Sequence, residues 1–363
     1  MSRVFTSDGA ERGDLKAFNT QIGTPSVDTT SQVTGANSYL CSSTTASGSF
    51  NAFLTGLITP TFTANAEVFA QARIGFVSSA TMQNQPTPAN HGGMLMAMYS
   101  VATIVGYVTL DGMGFLRVLR ADNNSVLATA AQSLPTVADF IYLIQFRYLV
   151  NGATGAVEVK VNGASMASAS GINTLGTGPA TINAVGFGAS GQWASNFAPL
   201  KIYLDDALVN VNDASGAEDG YAQDIRIARA GPGSAGHITG LTAVGGTNLA
   251  NVQPVPPSDS ATNYNDTSTA ATYDSYAPGT EEPVVPTGST IVAVSVDAEV
   301  LTQAAPQNGK LHVYTHATDY ASAAIALPTS YGRIANRWLL NPNTGVAWTL
   351  ADALAAEMGV GLA

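Results

Sequence analysis

The chain has 363 residues, enough for two domains that each bury a core, and its single cysteine, Cys41, excludes an intrachain disulfide framework. A formal net charge of −11, with only 14 Lys and Arg, leaves no basic stripe for nucleic acid. Charged residues make up 11% of the chain against about 25% in an average protein, so uncharged polar groups keep the surface soluble or an oligomer removes part of it from water.

The opening residues hold no apolar run of the signal-peptide kind and no segment reaches the length of a membrane span, so the expectation is a protein with neither signal peptide nor membrane insertion. A first strand at 3–6 precedes an acidic, glycine-containing turn at 7–14. Between 33 and 57 small polar residues alternate with Tyr39, Cys41, Phe50, Phe53 and Leu57, a pattern of short strands in which Cys41 reads as a small buried residue. Residues 61–78 set Phe62, Ala64, Ala66, Val68, Ala70, Ala72 and Ile74 on one parity, as a strand does. A loop at 81–93 carrying His91 leads into Met94, Met96 and Met98 at period two, which predicts a core face rather than a metal or haem site. Strands at 104–110, 115–120 and 126–128 follow, separated by Asp111-Gly112 and by the polar turn at 122–125.

The most strongly patterned stretch is 141–163. Tyr142, Ile144, Phe146, Tyr148 and Val150 alternate with Ile141, Leu143, Gln145, Arg147 and Leu149, so one face of a central strand is wholly apolar. The turn at 151–155 leads to Val157, Val159 and Val161, alternating with Glu158 and Lys160, and Asn162-Gly163 turns the chain again. Three consecutive antiparallel strands result, the mark of an all-β fold. Further strands are predicted at 182–187, 201–211 and 223–229, with a loop at 188–199 that carries Trp193.

Composition changes after 229. Residues 230–289 are rich in Gly, Pro, Ser and Thr, which predicts an extended connection packing its tyrosines on the surface. Strand patterns resume at 290–300, 310–315 and 331–340, and Thr349 caps a short closing helix over 350–358 that stops at Gly359. The reading is thus an all-β protein: a β-sandwich over 1–229, the connection, and a smaller β module with a short C-terminal helix over 290–363.

The aromatic-rich strand, "NGATGAVEVKVNG" and "KIYLDDALVNVNDASG" resemble laminin-G-like, concanavalin-A-like jelly rolls, in particular those of tailed-bacteriophage virion proteins. The tail "LPTSYGRIANRWLLNPNTGVAWTLADALAAEMGVGLA" resembles the C-terminal module that often follows in such proteins. The resemblance implies a virion structural protein, such as a head decoration, fibre or tail appendage, made in the host cytoplasm. It would assemble with other virion proteins as a dimer or trimer and carry a lectin-like module for host-surface glycan. The alternative is a phage glycan depolymerase on the same scaffold.

Depolymerase chemistry on such a scaffold needs two carboxylates flanking a sugar bond. Asp297 and Glu299 have suitable parity but lie outside the sandwich, while Asp205 and Asp206, being adjacent on a strand, would point to opposite faces. The expectation is therefore a protein without enzymatic activity. His312 and His316 stand too far apart along a strand for one metal ion, and no Cys or acidic neighbour completes a set. In the laminin-G-like fold a rim site can be built from carboxylates and loop carbonyls, so the resemblance brings Asp205, Asp206, Asn210 and Asp213 forward as calcium ligands; the alternative is that one aspartate caps turn amides and the other lies exposed. Trp193 and Asn196 form a candidate sugar platform, with packing of Trp193 on the core or a subunit contact as the competing reading.

Overall fold

The computed structural model describes the chain apart from residues 1–5, 9, 11–12, 14, 16–17, 31–32, 43–51, 58–65, 77–92, 112, 136–139, 191–200, 213–219, 255–260 and 304–305. It forms two compact units, Met1–Ile227 and Ala228–Ala363. No helix among the described residues is long and apolar enough to cross a membrane.

The first unit is a jelly-roll sandwich of two antiparallel sheets. In spatial order the larger sheet runs β13 (Ala164–Ile172), β12 (Gly155–Val161), β11 (Ile141–Leu149), β6 (Glu67–Phe76), β15 (Lys201–Val211), β4 (Ser38–Ser42) and β3 (Ser26–Asp28), with β1 (Thr6–Asp8) also paired to β15. The facing sheet runs β10 (Ser125–Ser133), β9 (Phe115–Arg120), β8 (Thr103–Leu110), β7 (Gly93–Ser100), β14 (Ala184–Ser190), β5 (Ala52–Leu57) and β2 (Phe18–Gly23).

The stretch 141–163 forms the hairpin its alternation predicts. Phe146 pairs with Val159 and Tyr148 with Val157, all turned into the core, and Asn162 and Gly163 adopt φ of 50° and 83° in the second turn. Tyr148 crosses the core. Its ring occupies the space a Cβ on Gly106 of β8 would need, and its hydroxyl donates to the Thr174 carbonyl at 2.8 Å. Glycine at 106 is what lets the two sheets close on that ring.

Two local readings change. The methionine stripe is split by a register shift between Met94 and Met96, so Met96 and Met98 enter the main core while Met94 joins Ala97, Tyr99, Tyr107 and Leu119 in a smaller cluster. The stretch 223–229 is not a strand. From Gly220 to Ile227 the chain crosses the outer face of the larger sheet, where side chains rather than a neighbouring strand satisfy its backbone.

In the second unit the main sheet runs β16 (Arg229–Thr239), β19 (Tyr273–Glu282), β25 (Glu357–Leu362), β21 (Asn308–Thr315) and β22 (Thr318–Ala321), with β23 (Ile325–Ala326) also on β21. Two small sheets pair β17 (Thr242–Val244) with β18 (Tyr264–Asp266) and β20 (Val294–Val300) with β24 (Gly332–Trp338). Val294, Val296, Leu311, Val313, Ile334 and Trp348 form its core. Within 230–289, read from sequence as an extended connection, the chain instead builds β17, β18, β19, most of β16 and the short helix α1 (Asn248–Val252). Pro232 is accommodated because β16 is an edge strand with three register shifts, two of them flanking the Pro232–Pro278 pair. Thr349 caps α2 (Leu350–Ala355) by accepting from the Asp352 amide at 3.0 Å. This helix stops at Ala356, short of the predicted Gly359, because 357–362 fills the gap between β19 and β21 and pairs with both.

Phe146 is fully buried, so Phe146→Ala is expected to lower the unfolding free energy of the sandwich by about 3–5 kcal/mol, measured by urea titration.

Candidate functional site

The outward face of the larger sheet is polar at its centre. Along β6, Val68, Ala70, Ala72 and Ile74 point into the core, which turns Glu67, Phe69, Gln71 and Arg73 outward. By the same alternation β11 presents Gln145 and Arg147 and β12 presents Glu158 and Lys160; Gln145 pairs with Gln71 and Arg147 with Glu158. All ten residues of β6 are buried, so this polar face has a cover.

The cover is the strap from Gly220 to Ile227, and side-chain amides hold it by its carbonyl oxygens. Asn210 Nδ2 donates to Gly220 O at 3.2 Å, Gln145 Nε2 to Ala222 O at 2.8 Å and Gln71 Nε2 to Gln223 O at 3.2 Å. The Tyr221 ring stands edge-on to Phe69 with Lys160 Nζ 4.2 Å from its centroid, while Arg73 pairs with Asp224. Beyond the strap the face opens. The side chains of Arg147 and Lys160 are 33% and 27% exposed, and Ser168 and Ser170 of β13 lie opposite Glu158 and Ala156.

Asp205 and Asp206 end this face, and the structure corrects their predicted divergence. A bulge interrupts the β15–β6 register between Asp205 and Leu208, Asp206 takes φ 48°, and the inward parity switches from Ile202 and Leu204 to Ala207, Val209 and Val211. Both carboxylates therefore converge on Thr34, whose hydroxyl lies 2.7 Å from Asp205 Oδ2 and 3.4 Å from Asp206 Oδ2. The Thr34 amide donates to Asp205 Oδ2 at 3.0 Å; Arg73 Nε and the Ile227 amide donate to Asp206 at 3.0 and 2.9 Å.

Burial, and then the charge of Asp206, push the Asp205 carboxyl up to about 8. Burial raises Asp206 as well, against the opposing pull of the Ile227 amide and Arg73.

Calcium wants six to eight oxygens turned to one point. Arg73 and backbone amides already address these carboxylates, and the Asn210 amide nitrogen is turned to the strap. Asp213, the fourth candidate ligand, lies outside the described residues, as do Trp193 and Asn196 of the candidate sugar platform. Asp297 of the rival pair lies 3.1 Å from Arg333 Nε, on the two-stranded sheet of the second unit. The sequence reading missed Gln71, Arg73, Gln145 and Arg147, although their shared parity on two apolar strands was the signal.

No family model matches the chain, and no curated protein does. Solved structures do. Cip1, a cellulose-induced protein, is 19% identical over 56% of this chain and 95% of its own, with a TM-score of 0.39. The alginate lyase Aly36B is 10% identical over 56% and 96%, with a TM-score of 0.32. An endo-1,3-beta-glucanase from Streptomyces sioyaensis is 14% identical over 58% and 95%, with a TM-score of 0.35. At such identities the likeness is one of fold. Because these structures include glycan-cleaving enzymes, the expectation of a protein without enzymatic activity is withdrawn.

Asp205 sets a pH test. Its raised carboxyl contributes stability that is complete below the ordinary value of 3.8 and is lost as pH rises through about 8. Unfolding free energy should fall between about pH 5 and about pH 9, and Asp205→Asn should flatten that slope in urea titrations.

Proposed function

We propose that the sandwich binds a glycan on the outward face of its larger sheet, beside the strap. One observation carries this reading: the face already grips an extended chain by its oxygens, through three side-chain amides on three adjacent strands. Sugar hydroxyls and carboxylates offer the same acceptors, and Arg147, Lys160, Ser168 and Ser170 continue the polar surface where the strap ends. Arg147→Ala and Lys160→Ala are each expected to weaken retention about tenfold in glycan affinity electrophoresis, near 1.4 kcal/mol, with the melting temperature unchanged in Lys160→Ala and lowered in Arg147→Ala, which strips the buried Glu67 of its guanidinium partner. Wild-type protein that no glycan retains would overturn the proposal.

A second reading, cleavage of the bound glycan, is favoured by two buried carboxylates, Asp205 and Asp206, converging on Thr34 at the end of the same face. Paired carboxylates, both raised by burial, can divide acid and base roles once the strap's Ile227 amide lets go. Asp205→Asn should then abolish product release while retention persists. The setting on a bacteriophage particle rests on the sequence resemblance, and self-association on the low charge; light scattering should give a mass above the 37.1 kDa of one chain.

A further inference from the structure

The second unit carries a polar, aromatic surface that the sandwich reading does not use. On β25, Met358 and Val360 pack against the core, which turns Glu357, Gly359 and Gly361 to the other face. Their neighbours there are Ser275 and Tyr273 on β19 and Lys310, His312 and Tyr314 on β21. The two glycines bare the middle of the sheet. A Cβ on Gly359 would lie 2.5 Å from the Asp274 carbonyl oxygen and 3.3 Å from both His312 Cβ and Tyr273 Cδ2, so glycine is what lets the strands and these side chains close here. Their rings stack with centroids 4.0 Å apart and planes within 2°. A second pair, His237 on Tyr314, stacks at 3.5 Å.

Each histidine is tied to a carboxylate through Nδ1: His237 to Glu357 Oε2 at 2.6 Å and His312 to Asp319 Oδ2 at 2.9 Å. Register shifts in β16 between Ala235 and Thr239 free the amides of His237 and Ile238, which donate to Glu357 Oε2 and Ser275 Oγ. The Ser275 hydroxyl also donates to Glu357 Oε2, at 2.7 Å. With the carboxylates so engaged, each imidazole is fixed in ring orientation and keeps Nε2 for another partner. What remains for a ligand is the Nε2 of the exposed His237, the Lys310 ammonium and stacked ring surface, His312 being buried beneath Tyr273. Lys310 stands one outward position from His312, roughly 7 Å along the strand.

We infer that this face of the second unit is a binding site for an acidic sugar, a uronate residue of a glycan chain. One sugar ring lies on the His237–Tyr314 stack, where imidazole Nε2 accepts from its hydroxyls, and the carboxylate of a neighbouring uronate along the chain meets Lys310, two outward positions and roughly 14 Å of strand away. The inference does not depend on the sandwich site.

The test is calorimetric titration of the full chain with trigalacturonate and, in parallel, the neutral cellotriose. Wild type should bind trigalacturonate at least about tenfold tighter than cellotriose. Lys310→Gln, which leaves the stacks in place, and Tyr314→Ala, which removes one, should each weaken trigalacturonate binding by about tenfold or more. Arg147→Ala should leave this binding event unchanged, which separates it from the sandwich site. Equal affinity for both sugars, or wild-type affinity in Lys310→Gln, would overturn the inference.

Discussion

Strand β6 is buried on both faces, and its outward face carries Glu67, Gln71 and Arg73. Polar groups taken out of water must be hydrogen-bonded or they cost several kcal/mol. That demand shapes the surrounding molecule. Glu67 answers to Arg147 and to Asn212, Gln71 to Gln145 and to the strap, and Arg73 to Asp206 and Asp224. Remove the strap from Gly220 to Ile227 and the amides of Gln71, Gln145 and Asn210 lose its carbonyl oxygens, so the strap is the oxygen-rich cover this face requires.

The second unit solves a related problem differently. Its central strand β25 presents two glycines outward, and the space they leave is filled by rings from the flanking strands rather than by a strap. Aromatic and imidazole planes cover the backbone, while the carboxylates Glu357 and Asp319 fix the rings from the side. The first unit therefore presents a covered row of donors and the second an open set of rings.

Much of the fold was legible in the chain. Alternation at 141–163 specified a hairpin because a slip of one residue would have exposed Phe146 and Tyr148, and the change in composition after 229 marks the start of the second unit, at Ala228. The candidate site was less legible. Period-two reasoning assumes an unbroken strand, and the bulge at Asp205–Asp206 breaks it without any glycine or proline to announce the change. The strap's alternating Asp224-Ile225-Arg226-Ile227 reads as a strand because periodicity cannot tell pairing partners from side-chain ones. The surface of the second unit joins His237, Tyr273, His312 and Glu357, residues far apart in sequence, and only Gly359 and Gly361 beside Glu357 hint at a bared strand.

The proposed ligand surface is the outward face of the sandwich's larger sheet. A crystal structure of the protein soaked with an oligosaccharide that it retains tests this most directly. Sugar density is expected against Arg147, Glu158 and Lys160, with hydroxyl or carboxylate oxygens at hydrogen-bond distance from the guanidinium and ammonium groups. Full sugar occupancy elsewhere on the first unit, with that face bare, would contradict it.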